Sequence, residues 1–274
     1  MSKLALFAGS NFLGTPNQLA GCVNDVINVR VRAEAAGFVV TGDLRDHAMT
    51  CANWKAALQA IAAQAKAGDI VLHMHSHHGA QIQDPGEADG LAEVWCPDDF
   101  DWSPERMIED KWMGELIASL APGVLWVDWA DCCHAADSLR ALWGPGERPR
   151  FIPNPKLFGW LGNLLSRPMV VAGPDRRGIL LAACRSNQTS ADTVLDGQPC
   201  GAFTGKMLAS GALNAPRTYG GLMTETAEAL ALGGYDQRPE LDCPTGGDRL
   251  EAFAEPFITK SAEQFLQHLL GIAA

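Results

Sequence analysis

Short, unbroken apolar runs alternate along the first half of the chain with stretches whose apolar residues recur at helical spacing. Leu4 to Ala8 is a first run, closed by Gly9-Ser10, and reads as a buried strand. Asn24 or Asp25 is positioned to cap a helix reaching Ala36, with Val26, Val29 and Ala33 on one face and Gly37 where a C-terminal glycine belongs. Phe38 to Val40 forms a second run. A helix from about Ala52 to Ala67 follows, with Trp54, Leu58, Ile61 and Ala65 as its apolar stripe. Gly68-Asp69 then breaks into the run that starts at Ile70. Strand–helix alternation of this kind predicts an α/β fold with a mostly parallel central sheet covered on both faces.

The second half is less regular. Gln81 to Asp101 is acidic and reads as loop with a short hairpin at most, and Met107 to Leu120 as a helix. Val124 to Trp129 reads as a buried strand, and Ala136 to Trp143 as a short helix after it. Residues 144–163 are rich in Pro, Gly and Arg and read as a long loop. Pro168 to Ala172 and Gly178 to Cys184 read as strands, Phe203 to Ser210 and Met223 to Leu232 as helices. Ser261 with Gln264 resembles a capping box for a last helix to about Leu270.

Composition narrows the function classes. The chain has 274 residues, 47% of them hydrophobic, enough for a sizeable core, and a formal net charge of -11. That charge argues against a nucleic-acid partner, whose binding rests on clustered Lys and Arg. Eight cysteines without regular spacing read as free thiols in a reducing compartment. No window is long and apolar enough to span a bilayer and the N-terminus lacks a signal-peptide pattern, so the expected location is cytoplasmic, with no membrane partner.

Two runs end in reactive side chains. One finishes Asp131-Cys132-Cys133-His134, the other Ser76-His77-His78-Gly79. Chemistry in open α/β sheets collects at the carboxyl ends of strands. Cys133 is a candidate nucleophile, since a thiol there needs only a base and oxyanion donors. His78 is the candidate base, and the backbone N–H groups of Gly79 and Cys133 the candidate oxyanion hole. Strand parity puts Asp131 and Cys133 on one face with Ser76 and His78; Cys132, His73, His75 and His77 fall on the other. The bland alternatives are a thiol buried as a small hydrophobe and histidines that only pack. A rival is a metal site built from His73, His75, His77 and His78 with cysteines, although no Cys-x-x-Cys or His-Glu-x-x-His spacing occurs.

Four stretches together carry a resemblance: Ala5 to Gly9 with Leu19-Ala-Gly-Cys22-Val-Asn-Asp25; Gly68 to Leu72 with Ser76-His77-His78-Gly79; Asp131-Cys132-Cys133-His134; and Ala182 to Gln188 with Gly201-Ala-Phe-Thr204. In that order the chain resembles, from Leu4 to about Pro244, the caspase-like cysteine peptidases of clan CD, family C14, specifically the bacterial metacaspase or orthocaspase branch. The resemblance implies a caspase-like α/β/α sandwich in one domain over 1–274. Within it, about 1–143 would be large-subunit-like, 144–177 linker and 178–274 small-subunit-like. It implies a Cys133–His78 dyad and a primary specificity pocket of Cys22, Asp25, Ser76 and Asp131. Two carboxylates suit a guanidinium, so cleavage after Arg, less well after Lys, is expected, on protein or peptide substrates with a basic residue before the cut. For Asp25 alone a helix cap, and for Asp131 a solvated strand end, are the ordinary readings.

Relatives are often cut behind the nucleophile-bearing segment, and Arg150, Arg176 and Arg177 are the candidate self-cleavage positions; Arg148 and Arg167 precede prolines. The chain also departs from the pattern. His77 replaces a glycine beside the base, and is costly there if the backbone is left-handed. Ala135-Ala136 replaces Ser-Gly. The calcium carboxylates of many metacaspases fall on Ala92, Glu109, Asp110 and Arg140, so two are missing. Calcium independence is therefore expected, with no cofactor and no metal; the resemblance further implies a monomer and a stress, cell-death or defence setting. The departures motivate an inactive, partner-binding module as the alternative, with a metal-dependent hydrolase as a further one.

Overall fold

The computed structural model describes residues 1–87, 90–133, 147–156, 178–185 and 188–254. Its first half runs β1 (Lys3–Gly9), α1 (Cys22–Ala35), β2 (Val39–Arg45), α2 (Cys51–Gln64) and β3 (Ile70–Ser76). Next come β4 (Gly79–Gln83), β5 (Leu91–Trp95), β6 (Ile108–Glu109), α3 (Asp110–Ala118) and β7 (Leu125–Asp131). Then follow β8 (Arg148–Pro149), β9 (Gly178–Ala182), β10 (Ala191–Leu195), β11 (Gln198–Gly201), α4 (Ala202–Ala209), α5 (Tyr219–Leu232) and β12 (Glu240–Asp242). The main sheet has the order β12-β9-β7-β3-β1-β2. All its pairs are parallel except β12 with β9, which is antiparallel.

β3 and β7 are buried on both faces, so they are apolar apart from His73, His75, Ser76, Asp128 and Asp131. Ala5, Phe7, Leu72, Met74, Val127 and Trp129 pack toward α1, α4 and α5. Leu4, Leu6, Val71 and Trp126 pack toward α2 and α3, against Trp54, Leu58, Ile61, Met113 and Ile117. Each Val, Leu, Ile, Phe or Met among them contributes about 1.5–3 kcal/mol by leaving water. The chain order reverses between β1 and β3, the switch point at which α/β sheets open a crevice. The chain leaves β1, β3 and β7 at that end.

Several boundaries differ from the sequence reading for identifiable reasons. α1 starts at Cys22 with Gly21 before it, and Asp25 lies inside the helix rather than capping it. The Asp192 carboxylate instead accepts the N–H groups of Ala20 and Gly21 (2.8 and 3.0 Å). β2 begins at Val39 and runs five residues past Val40, to Arg45, as an edge strand whose Val39 is largely exposed. The acidic 81–101 stretch contains the β4–β5 hairpin, and Ile108–Glu109 pairs with β5 instead of joining α3. α5 begins at Tyr219, with Thr218 Oγ1 accepting from the N–H of Gly221. Residues 186–187 and the expected elements at 136–143, 168–172 and 261–270 lie outside the described residues.

Candidate active site

The parallel register sets Ser76 opposite Asp131, so the two reactive strand ends leave the sheet side by side. Beyond β3, the ring of His78 is held by an Nε2–H donated to the carbonyl of Asn17 (2.7 Å), from the loop after β1. That bond fixes the tautomer and leaves Nδ1 bare; no hydrogen-bond partner reaches it among the described residues. Phe12 packs edge-on against the ring at 4.8 Å. Burial pushes the imidazole down to about 4, only partly opposed by the bond to Asn17, so His78 is neutral near pH 7.

A segment of the chain itself lies across this end of the sheet. Arg148 and Pro149 pair antiparallel with Asp192 and Ala191 of β10. The N–H of Arg150 donates to the Ser190 carbonyl (3.0 Å). The Arg150 carbonyl oxygen accepts two backbone hydrogen bonds, from Gly79 (3.0 Å) and from Cys133 (3.2 Å). One residue further, the N–H of Ile152 donates to the Gly79 carbonyl (2.9 Å). The backbone is thus clamped on both sides of the Arg150–Phe151 peptide bond, with two N–H donors converging on its carbonyl oxygen.

The Arg150 side chain is completely buried. Its guanidinium lies 2.8 Å from Asp25, 3.0 Å from Asp131 and 3.0 Å from Asp192, and donates to Ser76 Oγ at 2.7 Å. Ser76 Oγ in turn donates to Asp25 (2.9 Å). Asp131 is fully buried, not a solvated strand end; it accepts from Ser190 Oγ (2.7 Å) and from the N–H of Thr204 (3.0 Å) in the first turn of α4. Such a helix start favours negative charge. Gly201 forms one wall: a Cβ there would collide with the Asp131 carboxylate and the Arg150 guanidinium. Three carboxylates face one cation, and burial raises Asp25 to about 7 although Arg150 pulls it down. Cys22 is buried beside them, its thiol pushed up by burial and pulled down by Arg150.

Cys133 is fully buried; its thiol donates to the Ser190 carbonyl (3.4 Å) and accepts from the Ser190 N–H. It packs with Phe151 and Cys184. The structure therefore gathers Cys133, His78, Gly79, Cys22, Asp25, Ser76 and Asp131 around residues 148–152. Arg176, Arg177, Ala135, Ala136 and Arg140 lie outside the described residues. His77 does not adopt a positive φ, so the expected backbone cost does not arise. On the opposite sheet face, His73, His75 and His77 of the β3 side stand against Asp128 and Cys132 of the β7 side. Two groups there have metal-ligand chemistry, His75–His77–Cys132 and His73–His75–Asp128.

Sequence reasoning missed Asp192, Ser190, Thr204, Gly201 and Asn17. The Asp196-Gly197 dipeptide signals the hairpin turn joining β10 to β11, both residues having positive φ, but not where that hairpin docks. It also treated Arg150 only as a bond to be cut, not as the residue filling the pocket.

A thiol and an imidazole at adjacent strand ends of a mostly parallel sheet, above an acidic pocket, make this a caspase-like α/β fold. The family profile for the metacaspase, peptidase C14 domain matches residues 3–141, and the chain belongs to that family. It is 28% identical over 285 residues to Metacaspase-1 of Saccharomyces cerevisiae, covering 87% of this chain and 66% of that protein. It is 26% identical over 299 residues to Metacaspase-1B of Neosartorya fischeri, covering 93% and 72% of the two chains. The chain thus spans somewhat under two thirds of the yeast relative's length. Among solved structures, protein GSU0716 from Geobacter sulfurreducens matches with a TM-score of 0.67 and 25% identity, over 88% of this chain and 93% of that one. Among the described residues no helix is long and apolar enough to cross a membrane.

Proposed function

We propose that the protein is a cysteine endopeptidase that cleaves after Arg, less well after Lys, and that its first substrate is its own Arg150–Phe151 bond. The observation that carries this reading is the seating of Arg150: side chain among Asp25, Asp131 and Asp192, carbonyl oxygen on the N–H groups of Gly79 and Cys133.

In this reading His78 Nδ1 takes the proton from Cys133 Sγ, and the thiolate adds to the Arg150 carbonyl carbon. Charge developing on the carbonyl oxygen is stabilised by the two N–H donors already pointing at it; losing one such donor typically costs about 10²–10³ in rate. His78 Nδ1–H then protonates the departing nitrogen of Phe151, leaving an Arg150 thioester on Cys133. Water, deprotonated by the same nitrogen, releases the Arg150 carboxylate and restores the thiol. The cut frees the pocket for a substrate in trans. A desolvated guanidinium site whose acceptors are spread over Asp25, Ser76, Asp131 and Asp192 accounts for a preference for Arg: a Lys ammonium reaches fewer of them.

The test is release of a fluorophore from peptides ending in Arg, Lys or Asp, using wild type, Cys133→Ala and His78→Ala. Release from Arg above Lys, none from Asp, and loss in both variants supports the reading. A wild-type chain that is folded, carries a nicked linker and hydrolyses none of them would instead support the partner-binding alternative.

A further inference from the structure

The face of the sheet opposite Cys133 carries a ladder of buried histidines that the peptidase reading does not use. His73, His75 and His77 point the same way from β3 and its extension, and Asp128 and Cys132 do so from β7 and its extension. All five are buried. Trp54 and Trp95 close over the rings, at 5.7 and 4.2 Å from His75.

The hydrogen bonds fix where most of the protons sit. Trp54 Nε1–H donates to His73 Nε2 (3.1 Å), so His73 carries its proton on Nδ1 and gives it to Asp128 (2.8 Å). His73 is thereby used at both nitrogens. His77 Nδ1–H donates to the His78 carbonyl (2.6 Å), which leaves His77 Nε2 with a lone pair. That lone pair faces His75 Nδ1 at 2.8 Å. His75 Nε2 then stands 3.1 Å from Asp128 Oδ1 without forming a hydrogen bond, a buried polar atom left over.

We propose that His75 Nδ1, His77 Nε2 and Cys132 Sγ form a binding site for one divalent transition-metal ion of the zinc class. The three ligand atoms lie within 4.8 Å of one another. Imidazole and thiolate are the donors that such an ion prefers, and three protein ligands leave one coordination position for water. The ion replaces the proton between the two imidazoles. His75 moves its proton from Nδ1 to Nε2, where it meets Asp128 Oδ1 and satisfies the atom that is otherwise left over. Cys132 releases its proton to solvent as the metal–sulfur bond forms. The ion's two positive charges are then balanced by the Cys132 thiolate and the Asp128 carboxylate. His77 keeps its bond to the His78 carbonyl, and His75 gains one to Asp128. These are the outer partners, backbone carbonyl and carboxylate, that orient metal-bound histidines. The ion would pin the ends of β3 and β7 from behind, one residue from both His78 and Cys133. Because the site is buried, it fills during folding.

The experiment uses the full-length Cys133→Ala chain, which cannot cut itself, refolded from denaturant with cobalt(II) or zinc(II). One equivalent of metal should survive gel filtration, and the cobalt form should show a thiolate-to-metal charge-transfer band. Adding Cys132→Ser or Cys132→Ala should abolish the band and the rise in urea midpoint that zinc produces, while Cys184→Ala should leave both. His77→Asn should weaken retention. Far-UV circular dichroism establishes that each variant is folded, and the alanine variant keeps the buried position apolar. Absence of retained metal in the folded Cys133→Ala chain, or a charge-transfer band that persists without Cys132, would overturn the proposal.

Discussion

The carbonyl oxygen of Arg150 accepts a hydrogen bond from the backbone N–H of Cys133 at 3.2 Å. The residue seated in the pocket and the candidate nucleophile are therefore joined at the atom on which negative charge would develop. The same Arg150 carries a fully buried guanidinium among three carboxylates. In the proposed reading the intact chain holds one of its own peptide bonds as substrate, and this occupancy affects stability as well as reactivity.

Removing the cation should therefore unfold the chain more easily. In a Cys133→Ala background, Arg150→Ala leaves Asp25, Asp131 and Asp192 facing one another in a closed pocket. Breaking a buried charge pair from one side costs about 3–5 kcal/mol, so the urea midpoint should drop accordingly. Arg150→Lys should fall between the two, because an ammonium satisfies fewer of the acceptors.

Asp25 gives the pocket a pH dependence. With the guanidinium in place its carboxyl is raised to about 7 by burial, against the pull of Arg150. In the cut, empty pocket that pull is gone, so the carboxyl rises further. A group whose pKa is lower in the complex than in the free enzyme favours binding as pH rises between the two values. Competitive inhibition by an alkylguanidine should thus tighten from about pH 7 upward and level off once free Asp25 has ionised. Asp25→Asn should flatten this profile while weakening binding throughout.

His78 sets a different limb. Its pKa is held down to about 4 mainly by burial beneath Phe12 and the 148–152 segment. Self-cleavage in the intact chain should therefore persist well below pH 6.5, the ordinary value of the ring. After the cut, the charge of Arg150, which also holds the ring down, can leave the pocket, and the imidazole's pKa climbs. The acid limb of kcat for added peptides should then lie at higher pH than that of self-cleavage, measured by stopped-time gel analysis across the same buffers.

Much of this arrangement was legible in the chain. Continuous apolar runs identified β1, β3 and β7, because strands buried on both faces need no polar alternation. Parity alone separated Ser76, His78, Asp131 and Cys133 from His73, His75, His77 and Cys132, since a strand's period is fixed. Asp192 and Thr204 were hidden for a different reason. Their roles depend on where the β10–β11 hairpin and α4 dock, and a long-range docking position leaves no local periodicity. Asp25 looked like a cap because helix starts favour Asp, and only the fold reveals that Asp192 holds that loop while Asp25 turns inward.

Gly201 should tolerate no side chain. A Cβ at this position meets the Asp131 carboxylate and the seated guanidinium. Gly201→Ala should lower kcat/KM for Arg peptides by roughly 10–150-fold, the equivalent of losing one charge-assisted hydrogen bond of about 1.5–3 kcal/mol. The loss should appear mainly in KM, because Cys133 and His78 are untouched.

The most direct measurement is intact mass and N-terminal sequencing of the purified wild-type chain after prolonged incubation, beside Cys133→Ala. The account predicts a cut in wild type alone that yields a new N-terminus beginning Phe151-Ile152-Pro153, at a first-order rate independent of protein concentration. A wild-type chain that remains whole, or one cut with the Arg150–Phe151 bond still intact, would contradict it.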